Sequence, residues 1–528
     1  MTDVSDQQAT GVDTPDLHTT AGKLADLHRR LEEAKDPGSP RARARRDAKG
    51  LPSARQRMHM LFDEGTFVEL DQLAKSPGDD RIKDGVVIGY GTVGGRKVAA
   101  FSHDQTVGAG TVGEMFGRKM VKLYDFAAVA GLPVVGINDS GGARIQDAAT
   151  SIAWYAELGR HQDGLCGQVP QVSMILGTCV GGAVYAPANT DVLVGVQDST
   201  YMFVTGPEVI RPTTGETTSA EDLGGAVKQA TWGNLHHVAK DEQAAFDWVK
   251  RYLSFMPDSA HQRPPLVNPG IEPEITDSDL SLEKIIPDAD NAGYDIHDVI
   301  LRVFDDGDFL EYAELWAPNI VCGFARSDGQ SVGVVANQPM HMAGTLDTQA
   351  AEKAARFVRL CNSFNIPLVF LVDVPGILPG VEEEKIGTIR RSGKFIFSYV
   401  EAAVPKVTII LRKSYGGAWA VMGSKQLGAD FVFAWPTARL AVMGAEGAAA
   451  IIKRREIEEA GENGPAIRQA FIDFYNQFMA TPWLAAERGY IDGVIEPRDT
   501  RLLIRKCLRQ LQDKELQRVP RRTYLMPM

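Results

Sequence analysis

Two pairs of adjacent glycines, Gly181-Gly182 and Gly416-Gly417, each close an apolar run that reads as a buried strand. The runs are alike: Val169-Pro170-Gln171-Val172-Ser173-Met174-Ile175-Leu176 before the first pair, and Val404-Pro405-Lys406-Val407-Thr408-Ile409-Ile410-Leu411 before the second. After the first pair, Ala183-Val184-Tyr185-Ala186 has the look of an opening helical turn. Adjacent glycines present backbone N–H groups with no side chain in front of them, and a helix N-terminus adds partial positive charge at the same point. Such a turn can hold a developing oxyanion. A single glycine pair is more simply explained by close helix–strand packing. Here Gly416 stands 416 − 181 = 235 positions after Gly181, and two pairs at equivalent places suit an enzyme that holds two carbonyl oxygens at once.

Side-chain chemistry is less insistent. Cys179 and Ser414 are equivalents just before the two pairs. A thiol near a helix N-terminus can be activated, but small buried packing residues are the simpler expectation for both. His103, Asp104 and Ser140 could form a hydrolytic triad, yet no spacing demands it, and a structural histidine is expected. Glu382-Glu383-Glu384 reads as a solvated acidic loop. The four arginines between Arg41 and Arg46 read as a solvated helix face, with contact to ligand phosphates the lesser alternative. Gly89, Gly91 and Gly94 satisfy GxGxxG, but a dinucleotide fingerprint must open a helix. Here Val98-Ala99-Ala100-Phe101 comes next, so a β-hairpin is expected instead.

The elements that must position the glycines recur in order. Helices are expected over 21–35, 111–130 and 149–160, with a strand over 133–138 leading into the glycine turn Asp139-Ser140-Gly141-Gly142-Ala143-Arg144. Ala109-Gly110 is echoed by Ala343-Gly344, Leu132-Pro133-Val134 by Ile366-Pro367-Leu368, and Tyr201–Gly206 by Arg439–Gly444. Order and spacing held over that distance make the chain two copies of one α/β unit. Prolines crowd between Met256 and Asn291, marking the linker.

Composition sets the outer bounds. A length of 528 residues would by itself allow three or four domains, which the repeat reduces to two large ones. Hydrophobic content of 44% and charged content of 23% are those of a globular protein. A net charge of −12 argues against general nucleic-acid binding. No apolar run is long enough to span a bilayer, so no membrane partner is expected. Residues 1–20 are polar and acidic without an apolar core, and are expected to be disordered. Five widely spaced cysteines without a CxxC pair exclude a zinc ribbon and fit a reducing cytoplasm.

Four segments together carry a resemblance: Asp139-Ser140-Gly141-Gly142-Ala143-Arg144-Ile145-Gln146, Asp373-Val374-Pro375-Gly376, Tyr415-Gly416-Gly417-Ala418 and Ala434-Trp435-Pro436-Thr437-Ala438. From about Leu24 to its end the chain resembles the carboxyltransferase (β) subunit of biotin-dependent acyl-CoA carboxylases, of the actinobacterial propionyl-CoA/long-chain type. The resemblance implies two tandem crotonase-like ββα-superhelix domains, over 21–270 on the acyl-CoA side and 271–520 on the carboxybiotin side. It also implies a hexamer whose active sites lie between the N-domain of one subunit and the C-domain of another. Gly181 and Gly182 would hold the thioester oxygen of an acyl-CoA as its α-carbon becomes an enolate. Gly416 and Gly417 would hold the ureido oxygen of carboxybiotin, whose nitrogen takes the α-proton, so no general base is needed from the chain. Gly141, Gly142, Ala143, Arg144 and Ala183 would lie on the CoA side, Ala420 in the acyl pocket, and Tyr415 and Ala418 at the biotin. No metal is expected.

Ala420 is of the type found in long-chain members, where short-chain members carry Asp, Ile or Cys. Neither a Met-Lys-Met biotinylation segment nor an ATP-binding half is present. A biotinylated α subunit, with biotin carboxylase and carrier domains, is therefore the expected partner, and mixed hexamers with a second β subunit stay open. Glu383-Glu384-Lys385-Ile386 departs from the family's more usual Gln-Glu-Tyr-Asn. Two alternatives remain: the decarboxylase subunit of a biotin-dependent sodium pump, and a non-catalytic scaffold subunit, which would not need both glycine sites.

Overall fold

The computed structural model describes residues 15–76, 84–270, 273–514 and 526. Most of the N-terminal stretch expected to be disordered thus lies outside the described residues; within them, Thr19 already caps the helix Thr20–Lys35. The core of the molecule is two eight-stranded sheets. The first comprises β1 (Val68–Leu70), β2 (Val86–Val93), β3 (Arg96–His103), β4 (Val134–Ser140), β5 (Gln171–Val180), β6 (Val192–Val196), β7 (Tyr201–Phe203) and β8 (His237–Ala239). Its order is β1-β2-β3-β4-β5-β6-β8, with β7 beside β5. The second comprises β9 (Leu310–Tyr312), β10 (Ile320–Ser327), β11 (Gln330–Asn337), β12 (Leu368–Val374), β13 (Lys406–Tyr415), β14 (Phe431–Ala434), β15 (Arg439–Ala441) and β16 (Gly493–Val494). Its order is β16-β14-β13-β12-β11-β10-β9, with β15 beside β13. The two halves therefore share one topology, as the repeat predicts.

Each sheet opens on an antiparallel hairpin and continues in parallel. The GxGxxG segment lies in the first hairpin, where β2 and β3 pair from Val86↔His103 to Val93↔Arg96. Gly94 and Gly95 both take positive φ in its two-residue turn, the conformation that matches the twist of the flanking strands. β4 and β12 are buried along their full lengths, as parallel strands covered on both faces must be. The helix expected over 111–130 forms as Glu114–Ala130, three residues shorter at its start. Before it, Ala109 holds φ +55° in a tight turn, as Ala343 does at φ +53° in the other half.

The likeness extends to buried polar groups. Lys119 donates to Val86 O at 2.5 Å, and Lys353, at the equivalent place in helix Thr348–Ser363, donates to Ile320 O at 2.8 Å. Asp191 accepts the Gln171 N–H at the start of β5, and Asp430 accepts that of Lys406 at the start of β13, both at 2.7 Å. One hydrophobic core runs through both halves, joining Val135, Val172, Phe246 and Tyr252 to Tyr312, Phe324, Phe357 and Phe370. Arg356 crosses the same boundary to donate to Thr190 O at 2.7 Å.

Candidate active site

β5 and β13 are central strands, and each delivers its glycine pair at its C-terminal end. Gly181 and Gly416 share φ +61°, a left-handed conformation that favours glycine. The chain then turns helical, as a 3-10 turn Gly181–Val184 leading into Tyr185–Ala188, and as the helix Gly416–Val421. The first N–H groups of a helix have no acceptor within it, and no side chain caps either start. A Cβ at Gly181 would meet nothing within 4 Å, and one at Gly417 only Ile377 Cδ1 at 3.5 Å. Packing does not require glycine at those two positions. At Gly181 the left-handed φ does, and at Gly417 the missing side chain leaves the backbone open. By contrast a Cβ at Gly182 would lie 3.1 Å from the Tyr155 ring, and one at Gly416 3.1 Å from Val442 O.

The second glycine turn is brought against the first. Gly142, at φ +93°, approaches so closely that a Cβ there would lie 2.7 Å from Val180 O and 3.9 Å from Gly182 N. Its own N–H donates to Ser140 Oγ at 3.1 Å, and the Gly141 N–H donates to Ala109 O at 2.9 Å. These amides hold the turn together, which leaves the amides of the Gly181 turn as the ones free to face a ligand. Arg144 lines the site, but its guanidinium reaches back to Asp84 Oδ1 at 3.4 Å and Thr111 O at 3.3 Å. In the other half the turn is Pro375-Gly376-Ile377: the Leu346–Ile377 bridge repeats the Val112–Ala143 bridge, which sets Ile377 beside Gly417.

A cavity of about 1450 Å³ opens beside the first site, lined by Gly141, Ala143 and Arg144 together with Arg43 and Lys75. Arg43, on helix Pro40–Ala48, has no ion pair or side-chain hydrogen bond among the described residues. The arginine run read as a solvated face therefore sends one guanidinium to this cavity. Ala183, Tyr415 and Ala418 are buried, Ala418 completely. Ala420 and Gly417 are exposed.

The remaining candidates are structural. His103 is buried, and burial pushes its pKa down to about 3; its Nδ1 accepts the Asp139 N–H at 3.3 Å. Ser140 Oγ is committed to Gly110 O at 2.7 Å, so no triad forms. Cys179 donates to Ala183 O at 3.1 Å, and burial pushes its thiol up to about 12. The acidic loop departs from expectation: Val381–Lys385 is a short helix, and Glu383 is half-buried. Its Oε2 accepts Thr348 N–H at 3.0 Å and Thr348 Oγ at 2.6 Å. Glu383 thus ties the Ile377 loop to the start of helix Thr348–Ser363, where an anion is favoured by the helix dipole. Among the described residues, no group of three His, Cys, Asp or Glu is placed to hold a metal ion.

Two α/β units in tandem, each ending its central strand in an uncapped glycine turn, have the architecture of paired crotonase-like domains. The chain matches the carboxyl transferase domain family over residues 45–525. It is 58% identical over 519 residues to the biotin-dependent long chain acyl-coenzyme A carboxylase beta4 subunit of Mycobacterium tuberculosis, covering 98% of this chain and 99% of that protein. It is 52% identical to the propionyl-CoA carboxylase beta chain of Saccharopolyspora erythraea, covering 95% of each. Among solved structures, transcarboxylase 12S, described as a hexamer assembly with methylmalonyl-coenzyme A and methylmalonic acid bound, superposes with a TM-score of 0.93 at 42% identity, over 97% of this chain and 99% of that one. The chain belongs to the carboxyl transferase family.

Proposed function

We propose that this protein is the carboxyltransferase (β) subunit of a biotin-dependent acyl-CoA carboxylase, moving a carboxyl group from carboxybiotin to the α-carbon of propionyl-CoA or a longer acyl-CoA. The observation that carries this is the pair of glycine turns, alike in φ and uncapped in both halves. In the first site, the amides of Gly181, Gly182 and Ala183 hold the thioester oxygen as negative charge develops on it. In the second, those of Gly416 and Gly417 face the ureido oxygen. Carboxybiotin, carried by a partner, supplies the carboxyl group and, at its ureido nitrogen, the base for the α-proton. The residues present fit that group: Gly417 is exposed, and nothing bulkier than Ile377 lies near its Cα. Fixed N–H dipoles of this kind accelerate a reaction because they are stronger toward the developing anion than toward the neutral carbonyl.

Arg43 and Lys75 give the cavity beside Gly141 the charge to take the phosphates of CoA. Exposure of Ala420 in a single chain fits an acyl pocket closed by a second subunit. A biotinylated α subunit, a hexameric assembly and a cytoplasmic setting complete the proposal. Reconstitution with such an α subunit tests it: ATP-dependent carboxylation should appear with propionyl-CoA and extend to longer chains. Decarboxylation without any ATP-driven carboxylation would favour the sodium-pump alternative, and no turnover in either direction would favour a scaffold.

A further inference from the structure

A buried ion pair lies directly beneath each glycine site. Between β4 and β5 the register jumps from Asn138↔Ile175 to Ser140↔Cys179, and between β12 and β13 from Val372↔Ile410 to Val374↔Ser414. Three residues of the longer strand, Leu176-Gly177-Thr178 or Leu411-Arg412-Lys413, thus face a single residue of the shorter one. That residue is an aspartate both times: Asp139 and Asp373. Bulges of this kind re-aim the chain beyond them, and the glycine turns begin three residues beyond Thr178 and Lys413.

Both carboxylates lie against the bulge. Asp373 Oδ1 accepts the Lys413 N–H at 3.0 Å, and its Oδ2 accepts Arg412 Nε at 2.9 Å. Asp139 lies beside the Thr178 N–H without closing that bond, and its Oδ2 accepts Arg57 Nη1 at 3.3 Å. The grip is looser here, because Asp139 Oδ1 closes no full hydrogen bond. The two guanidinium groups come from different places. In the second half Arg412 lies in the bulge itself. In the first half the equivalent position is Gly177, where a Cβ would lie 2.4 Å from Asp139 Oδ1. The vacated space is filled by Arg57 from helix Ala54–Leu61, which also holds Glu242 Oε1 at 2.6 Å and Leu176 O at 3.2 Å. The same ion pair has thus been built twice from unrelated sequence positions, so the pair itself, and not its local sequence, is what the site needs. Buried ion pairs contribute little net stability, so stability alone is a poor reason for two of them.

We propose that Asp139 and Asp373 are the positioning residues of the two glycine sites. Each carboxylate, neutralised by a buried guanidinium, fixes the strand bulge and thereby the direction in which the amides of the adjoining glycine turn point. This assignment rests on the carboxyltransferase roles of the two sites, under which Asp139 acts on the acyl-CoA side and Asp373 on the biotin side.

The test uses the full-length β oligomer and monitors methylmalonyl-CoA decarboxylation in the presence of free biotin, with KM and kcat measured separately for each. Asp373→Asn should lower kcat/KM for biotin by about ten- to a hundredfold, the scale of a misplaced catalytic group, with KM for methylmalonyl-CoA unchanged. Asp139→Asn should act on the methylmalonyl-CoA parameters and spare KM for biotin. Gly177→Ala, which pushes the Asp139 carboxylate aside without touching its charge, should resemble Asp139→Asn, and Arg412→Lys should be a milder Asp373→Asn. These two decide the matter if an asparagine variant fails to assemble. Activity falling only in step with the amount of folded oligomer, or both substrates affected equally by each variant, overturns the proposal. A wild-type protein that turns over neither substrate would instead refute the carboxyltransferase assignment.

Discussion

At the scale of single residues, Gly417 offers the sharpest test. Its φ is not in the left-handed region, and a Cβ there meets only Ile377 at 3.5 Å, so Gly417→Val should fold. The Gly417→Val side chain leaves the amide in place but screens it from the oxygen, and removing access to one oxyanion donor costs about 2.7–4 kcal/mol of transition-state stabilisation. Carboxyl transfer should therefore fall by two to three orders of magnitude while acyl-CoA binding, measured by calorimetry, stays near normal. Near-normal transfer in the folded variant would remove Gly417 from the site. Arg43→Ala should raise KM for acyl-CoA and leave KM for biotin alone. Ala420→Ile should depress turnover of long acyl-CoAs more than of propionyl-CoA; because hydrophobic pockets discriminate by only about 1–3 kcal/mol per methylene, the kcat/KM ratio across chain lengths is the quantity to measure. An unchanged ratio would place chain-length selection elsewhere.

At the scale of elements, His297 clamps the segment leading into helix His297–Val303. Hydrogen bonds to Glu311 Oε2 at 2.8 Å and Asp295 Oδ1 at 2.7 Å raise its pKa to about 9 despite partial burial. A raised imidazolium stabilises the fold fully below about pH 6.5, and that contribution is lost as pH rises through about 9. Discounted for solvent screening it is worth about 1–2 kcal/mol. The stability difference between wild type and His297→Gln in chemical denaturation should shrink by that much between pH 6.5 and 9, and a difference that stays constant would remove His297 from this role. Glu383→Ala removes two hydrogen bonds from Thr348 and should speed hydrogen exchange in the Ile377 loop, which lies beside Gly417. The contrast between these elements explains what is legible in the sequence. The hairpin at Gly94-Gly95, the strands ending in the glycine pairs and their repetition are local patterns, and each is readable. Glu383 and Thr348, or Arg57 and Glu242, meet across 35 and 185 residues; only tertiary packing brings them together, so a charge cluster in sequence looks solvated. Asp139 and Asp373 stand at the head of their glycine-bearing segments, but their guanidinium partners occupy non-equivalent positions, and the repeat alone cannot reveal them.

At the scale of the whole molecule, a single chain leaves much apolar surface uncovered. Ile145 and Ile152 lie in the first half, Val442 just after β15, and Ile451, Phe478 and Trp483 on the C-terminal helices, each at least half exposed. Large apolar side chains left this exposed are candidates for burial against a second subunit. Light scattering should give a hexamer of six 57.4 kDa chains, and an active monomer would contradict sites shared between subunits. Within one chain the relation between the halves is different. Tyr252 of the first half meets Phe324 of the second edge to face at 5.7 Å, Phe255 stacks on it at 5.9 Å, and His236 lies on Tyr312 at 4.6 Å. Neither half possesses a complete interior without the other. The duplication visible in the sequence should therefore be invisible to a calorimeter: at the level of the protomer the two sheets should melt together, and residues 1–270 expressed alone should collect in inclusion bodies. A soluble, cooperatively folded half would show that the aromatic seam is a contact between finished domains and not a shared interior.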